Sequence, residues 1–332
     1  MDEKWINCVP VGQASLPYEI AACIAITEYE DELLLLVGSQ EEKPRLQVLM
    51  SEGLYTSITD VDELESVSIP SPAASFVSFP SRYGFTIVCV TIDGRIFEYA
   101  LMLIDENGDE TLKLQYNGEI DRLLSNGVGV SIHEQGWAVC VGEGGDVKRI
   151  HFQEERDSLQ IEKAPAYWVG DIVDAMTYTS EHLVLATAKH EVMVLDKMKT
   201  EPKQSFIATR GAPISSIAVA NARPNLIAIG KEDGWVELWD LANTQAPMWG
   251  SKVGQSNISS LQWQTGRDST LLVGTATGSV TVLNVESGTE VQANSKTQLN
   301  GGVWMIDTSQ PMISVITTDA STIHFVRHDV KQ

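Results

Sequence analysis

One short pattern recurs seven times along the chain, and that recurrence leaves few folds open. Its clearest copy spans residues 225–241. Leu226, Ile227, Ala228 and Ile229 form the apolar run of a buried strand, and Asp233-Gly234 interrupts it. Val236 and Leu238 then alternate with Glu237 before the segment closes on Trp239-Asp240. Asp-Gly between two apolar runs marks a hairpin, because the tight turn needs a positive φ that glycine adopts without steric cost.

Equivalent first arms lie at 33–37, 85–90, 137–141, 183–187, 226–229, 271–275 and 313–317. The second arms lie at 45–49, 95–99, 147–151, 191–195, 235–239, 279–283 and 322–326. Aligned on Leu46, Ile96, Val147, Val192, Val236, Val280 and Ile323, the copies are 50, 51, 45, 44, 44 and 43 residues apart. A period near 44 with a closing Trp-Asp is the signature of WD40 blades, each a four-stranded sheet, and is too long for ankyrin or tetratricopeptide units. β-Branched runs broken by turns disfavour helical repeats of similar period. A candidate innermost strand precedes each hairpin, at 21–27, 74–79, 129–132, 172–178, 214–219, 258–263 and 303–307. Turns at Asp93-Gly94, Gly144-Gly145, Asp233-Gly234, Thr277-Gly278 and, less regularly, Asp319-Ala320 fit the same count.

The expected fold is therefore all-β: one seven-bladed WD40 β-propeller over residues 1–332, its blades near 19–60, 73–117, 127–163, 171–208, 212–252, 256–295 and 301–328 plus 5–11. Only six residues follow Val326, too few for a fourth strand, whereas Trp5 to Val11 has no blade of its own. The N-terminal segment is expected to join the last blade, closing the ring and hiding strand edges. The long spacings mark two insertions. Residues 60–72, acidic and then rich in Ser and Pro, read as a surface loop. Residues 104–114, with Asn107-Gly108, read as an outer hairpin.

A formal net charge of −22 repels phosphate backbones and anionic lipid, so direct nucleic-acid or membrane binding is not expected, while a basic protein partner is favoured. Cys8, Cys23, Cys89 and Cys140 form no CxxC pair; the last three lie in apolar runs and read as small core residues, which fits a reducing compartment. The N-terminus lacks a signal-peptide pattern, and no apolar run is long enough to span a bilayer.

No catalytic, cofactor or metal site emerges. Asp105, Asn107 and Asp109 match the start of a calcium loop, but Glu110 replaces its glycine and Tyr116 its bidentate glutamate. None of His133, His151, His182, His190, His324 and His328 has a zinc-finger or metalloprotease setting, and His324 and His328 sit in a strand rather than a helix. Residues 142–145 are glycine-rich without a following helix, and so read as a hairpin turn. The carboxylate pairs Asp31/Glu32 and Glu41/Glu42 read as solvated turns. Trp137, Trp239, Trp263 and Trp304 read as core. Trp235 and Trp249, at strand or loop edges, are either packing residues or partner anchors.

Two stretches carry a family resemblance. Residues 223–248, with Gly-Lys-Glu-Asp-Gly-Trp-Val-Glu-Leu-Trp-Asp-Leu followed by a short loop ending in Pro247-Met248, resemble a blade of the forty-three-kilodalton nucleoporin family. Residues 314–328, where Thr-Asp-Ala leads into an apolar strand and Arg327-His328, are similar to that family's ending. The resemblance covers about the last half of the chain; the first three blades share only the layout. It implies a non-catalytic scaffold subunit of the Y-shaped outer-ring complex of the nuclear pore, at the nuclear envelope, beside an α-solenoid nucleoporin and another small propeller. Roles in pore assembly, in transport of protein and mRNA, and at mitotic kinetochores come with it. Two other readings stand beside this one: a WD40 adaptor presenting substrates to a methyltransferase or ubiquitin ligase, or an acidic histone-binding propeller; and an enzyme using the central channel, for which no convergent His, Asp or Ser set speaks.

Overall fold

The apolar runs assemble into seven antiparallel sheets. A computed structural model describes residues 6–29, 32–52, 58, 61–82, 84–106, 109–133, 136–155, 158–163, 167–179, 182–196, 202–208, 211–220, 222–264, 269–291, 296–308 and 313–330. After β1 (Ile6–Ser15), blade one holds β2 to β5 at Ile20–Tyr29, Glu32–Ser39, Arg45–Glu52 and Asp62–Ser68. Blade two holds β6 to β9 at Ala73–Ser81, Gly84–Thr91, Arg95–Glu106 and Asp109–Arg122. Blade three holds β10 to β14 at Gly127–His133, Trp137–Gly142, Asp146–Glu155, Ser158–Lys163 and Tyr167–Trp168, its fourth-strand position shared by β13 and β14, which both pair with β12. Blade four holds β15 to β18 at Val173–Tyr178, His182–Thr187, Glu191–Asp196 and Pro202–Ile207. Blade five holds β19 to β22 at Ile214–Val219, Leu226–Lys231, Trp235–Asp240 and Trp249–Lys252. Blade six holds β23 to β26 at Ile258–Trp263, Thr270–Thr275, Ser279–Asn284 and Thr297–Gln298. Blade seven holds β27 to β29 at Val303–Asp307, Ile313–Thr318 and Thr322–Val330, and β1 completes it.

The innermost strands neighbour one another in chain order, and β27 returns to β2, so the sheets form a ring. Its closure is the expected one. β1 pairs with β29 from Ile6↔Val330 to Ser15↔Thr322. Beside it, Ile58 forms a parallel bridge with Gly12 and donates its N–H to the Val11 carbonyl at 2.8 Å.

The physics of the ring is that every sheet is covered on both faces. The buried apolar residues fall into seven clusters, one in each seam between adjacent blades. Strand period sorts them: Leu226 and Ala228 enter the seam with blade six, whereas Ile227 and Ile229 enter the seam with blade four. The same double burial corrects one expectation. Glu237, read as the polar side of an alternating strand, is buried, 2.6 Å from Lys231 Nζ, and accepts the Trp239 indole N–H at 3.0 Å. A buried carboxylate is tolerated when paired and hydrogen-bonded in this way.

Six hairpins share one turn. Gly94, Gly145, His190, Gly234, Gly278 and Ser321 each donate their N–H three residues back and adopt positive φ, between 57° and 86°. The four glycines are those the sequence marks; in blade seven the positive φ falls on Ser321, one residue beyond the expected Asp319-Ala320. Blade one has a longer loop in which Ser39 Oγ accepts the Arg45 N–H at 2.9 Å.

The stretch 60–72, read as a surface loop, instead contributes β5, which pairs with β4 from Arg45↔Ser68 to Met50↔Asp62. As an outer strand with one paired edge and water on its side chains, it has no apolar alternation to reveal it. The outer hairpin of blade two is present as β8 and β9, which pair up to Glu106↔Asp109; Asn107 and Gly108 lie outside the described residues.

Candidate interaction surface

Antiparallel order sends each second-to-third-strand turn and each inter-blade link to the same end of the ring, here called the upper face. In all seven blades the residue that follows the second strand donates its N–H to the link entering that blade, as in Ile92 to Pro72, Ala188 to Ile172 and Asp319 to Gly302. The loops of this face are thus tied to the sheets beneath them.

Every innermost strand also carries a bulge at its second residue: Ala21, Ala74, Val128, Asp174, Ser215, Ser259 and Trp304. A bulge re-aims a side chain out of the pleat. Six of these seven residues line a central channel of about 510 Å³. Three of them join neighbouring blades: Ser215 Oγ donates to the Ile258 carbonyl at 2.8 Å, Ser259 Oγ to Val303 at 2.6 Å, and the Trp304 indole to Ala21 at 2.9 Å. Lower down, Asp307 accepts the Ala25 N–H at 2.6 Å, a second tie between the last blade and the first. Trp304, read as core, is therefore 53% exposed at the channel; the bulge breaks the alternation on which that reading rests.

The upper face is acidic around blades three to five. Burial and then the fields of Asp171, Glu232 and Glu143 push the Asp174 carboxyl up from its ordinary value. Asp171 goes the other way: burial alone would raise it, but the Ile172 N–H and Lys189 hold it below the usual range. Beside these charges stand exposed apolar side chains on fixed supports. Asp146 is buried and accepts the Leu124 N–H at 2.6 Å and the Ser125 hydroxyl at 2.5 Å, leaving the Leu124 side chain 89% exposed. Trp168, 67% exposed, donates its indole N–H to the Gly144 carbonyl at 2.8 Å. Ile92, Ile172 and Trp235 are exposed on the same face. Aromatic anchors held in place beside charge suit the recognition of another protein, because little side-chain freedom is lost on contact.

Of the remaining residues singled out in the sequence, Trp239 and Trp263 are buried. Trp137 stacks on His151 with 4.5 Å between ring centroids. Trp249 is half-buried, its indole donating to the Val285 carbonyl, and Trp235 remains exposed. His324 lies buried in β29, where desolvation lowers its pKa. The side chains of Cys8, Asp105, Asp109, His133 and His328 lie outside the described residues. Cys23, Cys89 and Cys140 are buried free thiols, and burial pushes Cys89 up to about 12. Among the described residues, no three of His, Cys, Asp and Glu are grouped to hold a metal ion, and no helix is long and apolar enough to cross a membrane. Trp168 and Leu124 have no periodic signal in the sequence: one sits in a two-residue strand and the other in a link.

Residues 219–317 match a family described as the anaphase-promoting complex subunit 4 WD40 domain. The matched region runs from the end of β19 to β28, covering most of blades five to seven. A comparison with curated proteins gives no match. WD40 propellers generally serve as interaction scaffolds without catalysis of their own, and the closed ring described above has that architecture.

Proposed function

We propose that this seven-bladed WD40 propeller is a non-catalytic scaffold subunit of the nuclear pore Y-complex, seated on its short arm against an α-solenoid partner and a second small propeller. The observation that carries the platform reading is the upper face, where Trp168 and Leu124 are exposed on supports fixed by hydrogen bonds to a closed ring. The pore assignment is supported by the resemblance of residues 223–248 and 314–328, which form the second hairpin of blade five and the last hairpin of blade seven. The proposed location is the nuclear envelope, with attendance at kinetochores in mitosis, and the proposed work is assembly of the pore and passage of protein and mRNA. Affinity purification with cross-linking tests it: recovery of the other Y-complex subunits is expected, and a clean set of unrelated partners overturns it.

The match over residues 219–317 favours one alternative, an adaptor within another large assembly, as the matched description names a subunit of the anaphase-promoting complex. Rim staining of a tagged copy separates the two, because an adaptor of that kind has no reason to line the nuclear envelope.

A further inference from the structure

The outer hairpin of blade two projects past the ring. β8 and β9 are 12 and 14 residues long, against six for each of β16 and β17 in blade four. In their register Leu101 faces Leu114 and Leu103 faces Leu112, and period two puts all four on one side. Leu101 and Leu114 are buried in the seam with blade one, where the stripe has its cover. Two residues further out the cover ends: Leu112 is only partly packed and Leu103 is 52% exposed.

Facing this stripe across the lower end of the seam are Leu34, Met50 and, on β5, Leu64. Between them is a groove of about 1250 Å³. That exceeds the roughly 300–1,000 Å³ of ordinary small-molecule pockets, so a peptide segment suits it better. Its blade-one wall is acidic: Glu32 and Glu65 line it, and Asp62 is exposed on β5 as the register partner of Met50, while Arg82 lines the blade-two side. A carboxylate wall beside uncovered leucines favours an incoming chain with leucine-type side chains next to lysine or arginine.

We propose that the groove between blades one and two is a docking site for a short apolar segment of a partner protein, flanked by a basic residue on the β5 side. This rests on the platform reading above and names the surface and the partner chemistry. The test pans a phage-displayed library of random twelve-residue peptides against the full chain and measures an enriched synthetic peptide by fluorescence anisotropy. Leucine-rich peptides with flanking Lys or Arg are expected. Leu103→Glu should weaken them about tenfold or more. Glu65→Lys should weaken them with a shallower salt dependence, and Leu124→Ser on the opposite face should leave them unchanged. Leu103 and Leu64 are exposed, so an unchanged melting temperature for Leu103→Glu and Leu64→Glu certifies the fold. Peptides that bind wild type and Leu103→Glu alike, acid-flanked winners, or no enrichment at all would overturn the groove. The platform reading would survive each of these if cross-linked partners are still recovered, and would fall separately if they are not.

Discussion

Gly12 is where the ring closure is most exposed to a small change. A Cβ built on it lies 1.8 Å from the Ile58 carbonyl oxygen and 2.6 Å from the Ile58 carbonyl carbon, and backbone atoms cannot swing aside. Gly12→Ala must therefore push residue 58 off β1. The bridge then loses the Ile58 N–H to Val11 hydrogen bond, a net contribution of about 1 kcal/mol. It also exposes an isoleucine now only 1% accessible, which costs about 2–3 kcal/mol. The expected loss is about 3–4 kcal/mol. With an unfolding entropy of roughly 2.1 cal/mol/K per residue over 332 residues, the melting temperature should fall by about 4–6 °C. Scanning calorimetry reads this directly. The control is Gly254→Ala, where the nearest atom to a new Cβ is 3.9 Å away and no loss is expected. Equal melting temperatures for Gly12→Ala and wild type would refute the closure geometry.

Further outcomes follow from buried charge and backbone strain. Glu237→Ala removes the carboxylate to which both Lys231 and Trp239 donate, and should cost about 3–5 kcal/mol in urea unfolding; a loss below about 1 kcal/mol would contradict the buried pair. Glu98 is buried on β8, and burial raises its pKa despite the hydrogen bond from Asn117 Nδ2 at 2.8 Å. A raised folded value means that its stabilising contribution exists below the ordinary carboxylate range and is lost as pH rises through the folded value. Glu98→Gln should accordingly stabilise the protein at pH 7 and lose that advantage in acid, a trend that a pH series of melting temperatures would reverse if the reasoning fails. Ser321 holds φ at 57° where four other blades use glycine, so Ser321→Gly should gain about 0.5 kcal/mol, and a clear loss in chemical denaturation would contradict the strain.

The hairpins are legible in the sequence because their arms are covered on both faces and their turns need positive φ, so apolar runs and glycines mark them together. What escapes the sequence depends on neighbours that it does not place side by side. The seven bulge residues run from Ala21 to Trp304 with no shared chemistry, because a bulge is a property of the pairing and not of the residue. β5 hides behind Asp62, Glu63 and Glu65, which an outer strand can afford. Glu237 looks solvated until the hairpin brings Lys231 across to it. Trp168 and Leu124 become candidates for partner contact only once the links are seen tied to the turn at residues 142–146.

The central claim, a ring whose two chain ends are joined in one blade, has a direct measurement. Ser15 and Thr322 are register partners with their hydroxyl oxygens 3.5 Å apart. A Ser15→Cys/Thr322→Cys variant, oxidised at low protein concentration and digested for mass spectrometry, should yield an intramolecular disulfide joining the peptides that hold residues 15 and 322. Free thiols at both positions, or cross-linked dimers in place of the internal link, would contradict the closed ring.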